Sequence, residues 1–281
     1  MRTEGIRVFE VDRPKRRDQY RSGKSDPMDA ELAARAVLAG TATAQPKDTD
    51  GEVEMIRTLR LARRCSAVKA RAQATNQLKN LLVTAPEGLR SELRELSTAK
   101  LVAKASGFRP GTNPSDVQAA TKFAMRSVAR RHQRLSEEIS ELDEQLDRLV
   151  AEAAPELVAM EGVGTDTAAS LLIAAGDNPE RLESEAAFAH LCGVAPIPAS
   201  SGKSVRHRLN RQGNRDANRA LYVIAVCRMS RDERTRAYVA KRTTEGKTKK
   251  ELIRCLKRYI AREVYRILAS VSLSKPPILA P

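Results

Sequence analysis

A chain of 281 residues has room for one large domain or two to three small ones with real cores. Four cysteines (Cys65, Cys192, Cys227, Cys255) and three histidines (His132, His190, His207) lie far apart with no Cys-x-x-Cys pair, which argues against a zinc site or a disulfide framework and fits a reducing cytoplasm. No apolar run approaches the roughly 18 residues of a membrane span, and no apolar signal core follows the first arginines, so neither a membrane partner nor secretion is indicated.

The net charge of +15 is uneven: residues 1–200 hold 29 basic and 29 acidic side chains, residues 201–281 hold 21 and 6. Charge concentrated in this way marks a face for a polyanion, with a solvated basic helix as the alternative. Aromatics make up only 3% and Trp is absent, so backbone phosphate contact is expected ahead of base stacking.

Taken in chain order, Ile6–Val11 alternate weakly and predict one strand, followed by the basic loop Arg13–Arg17. A helix is expected from Asp26 at the N-cap with Pro27 at its first position, closed by Gly40. Residues 48–84 read as helical, and a shorter helix is expected over 89–102. Gly107, Pro110, Gly111, Asn113 and Pro114 break the pattern. A long helix to about Ala154 carries Val128, Leu135, Ile139, Leu142, Leu146 and Leu149 at three-four spacing, a coiled-coil seam whose partner is another helix of this chain or a second copy. Gly162-Val163-Gly164 lies between two helices, as in a helix-hairpin-helix contact to a DNA backbone; a plain helix–helix turn fits it as well. Gly246-Lys247-Thr248 fails as a nucleotide loop, because Lys241 stands where its first glycine is required. The last helix, 249–270, sets Leu252, Leu256, Tyr259, Val264 and Ile267 near one face and Lys250, Arg254, Lys257, Arg258 and Arg262 on the other.

Two constellations carry chemistry. Asp26 and Asp29, three apart at a helix start, can share Mg²⁺ through hard oxygens, or can simply complement the helix dipole. Ser200-Ser201-Gly202 runs into a comb of cations: Lys203, Arg206, Arg208, Arg211 and Arg215. A serine hydroxyl is a possible nucleophile and guanidinium matches phosphate, although a solvated basic loop has the same composition.

These motifs occur in one order: Gly23-Lys24-Ser25-Asp26-Pro27-Met28-Asp29-Ala30, Gly162-Val163-Gly164, Gly193-Val194-Ala195-Pro196 leading to Ser201-Gly202, Arg206-His207-Arg208-Leu209-Asn210-Arg211, and Arg234–Tyr238 with Glu245-Gly246-Lys247. In that order they closely resemble the insertion-sequence-110 type of transposase, over nearly the whole chain. The resemblance implies a RuvC-like domain whose Asp, Glu, Asp, Asp set binds Mg²⁺, a coiled-coil linker, and a C-terminal domain bearing a catalytic serine. It implies a noncoding RNA that bridges donor and target DNA, and a working dimer or tetramer. Asp26 and Asp29 match the last two acids and Ser201 the serine, with Ser200 the fallback. Counterparts of the first Asp and the Glu are missing, since Glu4 and Glu10 occupy the wrong positions. The expected chain is therefore N-terminally truncated: a RuvC-like remnant (1–47), a helical linker (48–154) and a helical transposase domain (155–281), mainly α overall. Nucleic-acid contacts are expected from Gly162, Gly164, Lys203, Arg206, Arg208, Arg211, Arg215, Lys247, Lys250, Arg254 and Arg258. With half of the acidic set absent, salt-dependent DNA or RNA binding with little strand exchange is expected, and a catalytically inactive relic is the alternative.

Overall fold

The computed structural model describes residues 6–11, 25–110, 116–199 and 207–274, with side chains to Ser270. The protein is mainly helical. Helix α1 spans Asp26–Leu38. It begins at Asp26 and not one residue later: Ser25 is the cap residue, its side chain makes no cap hydrogen bond, and its carbonyl accepts the first helical bond from Asp29 N. Asp26 and Asp29 therefore both sit in the first turn, where their charge complements the helix dipole. Gly40 closes the helix as expected, with Gly40 N donating to Val37 O and Thr41 N to Ala36 O.

The strand expected over Ile6–Val11 does not form. A strand is stabilised by its ladder, and the main-chain bond made here is Glu10 N to Ala44 O, 2.8 Å. Ile6 and Val8 remain exposed. Among the described residues the paired strands are β1, Ile197–Pro198, and β2, His207–Arg208, antiparallel with Ile197 opposite Arg208 and Pro198 opposite His207.

Further helices among the described residues are α2 Glu52–Leu61, a wide π turn Ala62–Ala67, α3 Val68–Val83, α4 Glu87–Leu93, α5 Thr98–Ser106, α6 Val117–Ala153, α7 Pro155–Ala159, α8 Thr165–Ala175, a 3-10 turn Pro179–Arg181, α9 Glu185–Leu191, α10 Arg215–Arg231, α11 Glu233–Thr244 and α12 Lys249–Ser274. The single helix expected over 89–102 is two, α4 and α5, because Ser97 caps a new start by accepting from Lys100 N.

Contacts gather the chain into two compact units: residues 55–158 with 164–169, and residues 1–54 with 159–163 and 170–281. In the first, α6 runs antiparallel to α3. Arg63 beside α3 is ion-paired with Asp143, and at the other end Leu78 joins Met125 and Ala129 in one apolar cluster with Leu89, Leu93 and Leu101. Of the expected α6 seam, Ile139 and Leu146 are buried, while Met125, Ala129 and Val150 complete the face. Leu78 is 1% exposed, so Leu78→Ala is expected to cost about 3 kcal/mol through lost burial and an unfilled cavity. Denaturant unfolding followed by circular dichroism measures this.

In the second unit, α10 packs across α12, and α9 lies against α12. Leu221 and Ile224 of α10 are fully buried, as are Phe188 of α9 and Ile260 and Val264 of α12, or nearly so. The segment before α2 is tied down by backbone satisfaction: Lys47 Nζ donates to Ile173 O, Asp48 N to Asn178 Oδ1, and Val53 N to Asp177 Oδ1. Gly246-Lys247-Thr248 finds its physical account in this unit. Thr248 and Glu251 form the capping box of α12, with Thr248 N donating to Glu251 Oε2 at 2.9 Å. Those hydrogen bonds hold the Glu251 carboxyl below the ordinary carboxylate range.

Candidate nucleic-acid interface

Strands β1 and β2 pair as an antiparallel hairpin, and residues 200–206 between them fall outside the described residues. Ser200, Ser201, Lys203 and Arg206 are therefore not described, and the two stems on either side of them are. Those stems are pinned together. Leu191 O and His190 O, at the end of α9, face the turn before α10, and Asn214 N donates to Leu191 O at 2.6 Å. Gly193 (φ +64°) and Gly213 (φ +94°) cross there, main chain against main chain. A Cβ on Gly213 would come within 2.6 Å of Gly193 N and 2.7 Å of Leu191 O, while one on Gly193 would strike Gln212 O.

A side-chain relay fixes the same stem from behind. Asn218 of α10 donates through Nδ2 to Cys192 O (2.8 Å) and Gly193 O (3.1 Å). Its Oδ1 accepts from Lys257 Nζ of α12 at 2.9 Å. Lys257 was expected on the polar face of the last helix. It is instead 8% exposed, its aliphatic stem buried and its ammonium spent on this one acceptor. Burial, with Arg254 nearby, pushes its pKa below the usual lysine value. Asn214 caps α10 by accepting from Asp216 N and Ala217 N, and Asn210 Oδ1 accepts from Gln212 N, so side-chain amides hold the turns on both sides of Gly213.

Beside these stems opens a cleft of about 890 Å³. One wall is Gly193–Pro196 with His207–Asn210 of the hairpin. The other is α12 with Lys247 just ahead of it, contributing Lys247, Arg254, Lys257, Arg258, Tyr259 and Arg262 against one acid, Glu251. Glu185 at the start of α9 lies close by, 2.8 Å from Arg262 and ion-paired with Arg258. Burial works to raise the Glu185 carboxyl, but the hydrogen bonds from Arg258 and Arg262 outweigh it and hold it low. Two of the cleft arginines are thereby partly neutralised and held in place. Lys247, Arg254 and Arg208 supply the less committed charge.

Of the residues expected to meet nucleic acid, Arg208, Lys247, Arg254 and Arg258 line this cleft, and Arg211 lines an adjoining depression with Gln212. Lys250 and Arg215 are exposed and line neither. Gly162 and Gly164 form the turn between α7 and α8. The Gly164 N–H is already taken by Thr167 Oγ1 at 3.0 Å. Asp166 sits in the first turn of α8, and Thr165 donates to Asp147. Acids at a helix start compete with phosphate for the same dipole, which disfavours an anion there.

Asp26 and Asp29 share one helical turn, and neither lines the cleft. Among the described residues they are joined by no third His, Cys, Asp or Glu. Asp29 Oδ1 is enclosed and accepts no hydrogen bond there. An orphaned carboxylate oxygen, with a second aspartate on the same helical turn, is the hard donor chemistry that Mg²⁺ takes, the rest of its shell coming from water and phosphate oxygens. Sequence reasoning missed Asn218 altogether. An asparagine four residues after a glycine-asparagine cap was its one available signal.

No helix among the described residues is long and apolar enough to cross a membrane. Residues 154–240, which hold the hairpin, the glycine crossing and α10, match the family described as the transposase IS116/IS110/IS902 family. This is the class of protein that the stretch resembles. A second comparison agrees: 142 residues are 32% identical to the "Insertion element IS110 uncharacterized 43.6 kDa protein" of Streptomyces coelicolor (strain ATCC BAA-471 / A3(2) / M145). That alignment spans 50% of this chain and 33% of the relative, so the chain matches about a third of that protein's length.

Proposed function

We propose that the chain acts in DNA transposition as a recombinase of an insertion sequence, breaking and rejoining double-stranded DNA through the hydroxyl of Ser201. The observation that carries this reading is a basic cleft at the foot of a pinned hairpin, one wall of which lies in the stretch that matches a transposase family. Bridging of the DNA partners by a noncoding RNA, and a dimeric or tetrameric assembly, rest on the resemblance alone.

In the proposed step the Ser201 Oγ–P bond forms as the bond from phosphorus to one strand oxygen breaks. The serine proton is lost and the leaving oxygen gains one. Serine is a weak nucleophile, so the phosphate must be held and its charge offset. Arg208 and Arg211, with Arg206 close by in the sequence, would take that task, since guanidinium stabilises charge growing on phosphoryl oxygens. Asp26 and Asp29 would hold Mg²⁺, which when bound polarises the phosphate and stabilises the leaving oxygen. The Gly193/Gly213 crossing and the Lys257–Asn218 relay act one step back: they hold the backbone that carries β1 and β2.

The test is the salt dependence of duplex binding. The triple variant Arg208→Gln, Lys247→Gln and Arg254→Gln is expected to bind DNA weakly and to flatten the plot of log K against log salt by about 2–3 units, near 0.9 per lost phosphate contact. Lys250→Gln, outside the cleft, is expected to change little. Equal slopes for the triple variant and the unaltered chain would remove the cleft from DNA binding.

A further inference from the structure

The cleft holds one feature that phosphate contact does not use. Tyr259 was expected on the core-facing side of α12. Its ring is instead 45% exposed, and it lines the cleft between Arg258 and Arg262. It is braced there. Tyr238 of α11 meets it edge-on, with ring centroids 5.8 Å apart and planes at 84°. The Arg262 guanidinium lies 6.0 Å from its centroid, and Arg262 is itself held by Glu185. Tyr238 is backed in turn by Arg242 at 5.8 Å. An exposed aromatic ring held still by its neighbours, inside a cleft lined with cations, is the arrangement that stacks a nucleobase while the cations follow the phosphates.

We propose that Tyr259 is a stacking platform for an unpaired nucleobase, so that this cleft takes a single-stranded or flipped-out nucleotide and not only the outside of a duplex. The inference rests on the proposed nucleic-acid role of the cleft and adds the state of the strand. A paired base presents its edges to a groove and hides its faces in the stack, so Tyr259 reaches a base face only where pairing is open. The shared chemistry is an unpaired pyrimidine or purine on a phosphate backbone, and the strand is DNA or RNA.

The experiment uses the full chain and four fluorescein-labelled probes of about twelve nucleotides: oligodeoxythymidylate, oligouridylate, a duplex, and an abasic strand of equal length. Tyr259→Ala is expected to weaken the two single strands that carry bases by roughly 5- to 150-fold and to leave the abasic strand within error of the unaltered chain. Tyr259→Phe, which keeps the ring and its packing on Tyr238, is expected to bind like the unaltered chain. Because the chain has no tryptophan, Tyr259→Trp places a single indole in the cleft, and its fluorescence is expected to be quenched by the base-bearing strands and not by the abasic one. The stronger of the DNA and RNA probes identifies the strand. Equal losses on basic and abasic probes in Tyr259→Ala, or an indole that no base quenches, would overturn the platform. Salt-independent binding of the abasic strand would instead overturn the cleft as a polyanion site, so the two failures are distinguishable.

Discussion

Gly213→Ala is expected to destabilise the protein by about 3 kcal/mol or more and to dismantle the hairpin stems, whereas Gly40→Ala is expected to cost only about 1 kcal/mol. Both glycines have positive φ, +94° and +66°, so both substitutions meet the left-handed penalty of roughly 1–2 kcal/mol. They differ in surroundings. A Cβ at Gly40 has nothing within 4 Å, while at Gly213 it would press on three backbone atoms at 2.6–2.8 Å. Main chain cannot rotate aside as a side chain can, so the second site adds a steric cost of overpacking size. Against a total stability of about 5–15 kcal/mol, that excess is large. Urea unfolding of the two variants reads it directly. A Gly213→Ala chain no less stable than the Gly40→Ala chain would mean that the crossing of Gly193 and Gly213 does not exist in solution. Binding should follow stability, since the hairpin wall of the cleft stands on that crossing.

The contrast between these glycines also shows what could be read without coordinates. Gly40 was legible because a helix end is local: the pattern stops, and a glycine follows. The same holds for α6 and α12, whose apolar spacing runs for many turns, and for the excess charge after residue 200. The crossing at Gly193 and Gly213 was not legible as a contact, because two glycines twenty residues apart announce nothing until the chain turns back on itself. Residues 6–11 failed for a related reason. Their alternation is a strand pattern, but a strand exists only with a partner, and the backbone here finds Ala44 instead. Lys257 and Tyr259 were set on the wrong faces of α12. Its apolar stripe is broad, and a lysine stem can be buried when an acceptor such as Asn218 is supplied by another helix. Charge alone named a basic surface. Only the fold separates Arg208, Lys247 and Arg254, which share a cleft, from Lys250 and Arg215, which do not.

Ser201→Ala is expected to abolish covalent capture of a phosphodiester while leaving salt-dependent DNA binding unchanged. A probe that isolates the nucleophile is thymidine 5′-(4-nitrophenyl phosphate). Its nitrophenolate leaves without protonation, so transfer needs only an oxygen nucleophile and a held phosphate. The serine oxygen gains the nucleotidyl group, the hydroxyl proton goes to solvent, and the chain gains the mass of one thymidylyl unit. The label is expected on the peptide containing Ser201. It should fall by roughly 10³-fold or more in Ser201→Ala, the scale on which losing a nucleophile is felt, and persist in Ser200→Ala, which decides between the two neighbours. Gly213→Ala should lose label in proportion to its unfolded fraction, whereas Arg208→Gln should slow labelling of a chain that remains folded, because it weakens charge stabilisation and not the scaffold. Label that survives in Ser201→Ala and is lost in Ser200→Ala would move the nucleophile to Ser200, whereas label that survives in both, or an unaltered chain that takes none, would remove serine chemistry from this pair. The basic cleft would then be left to bind a strand without cutting it.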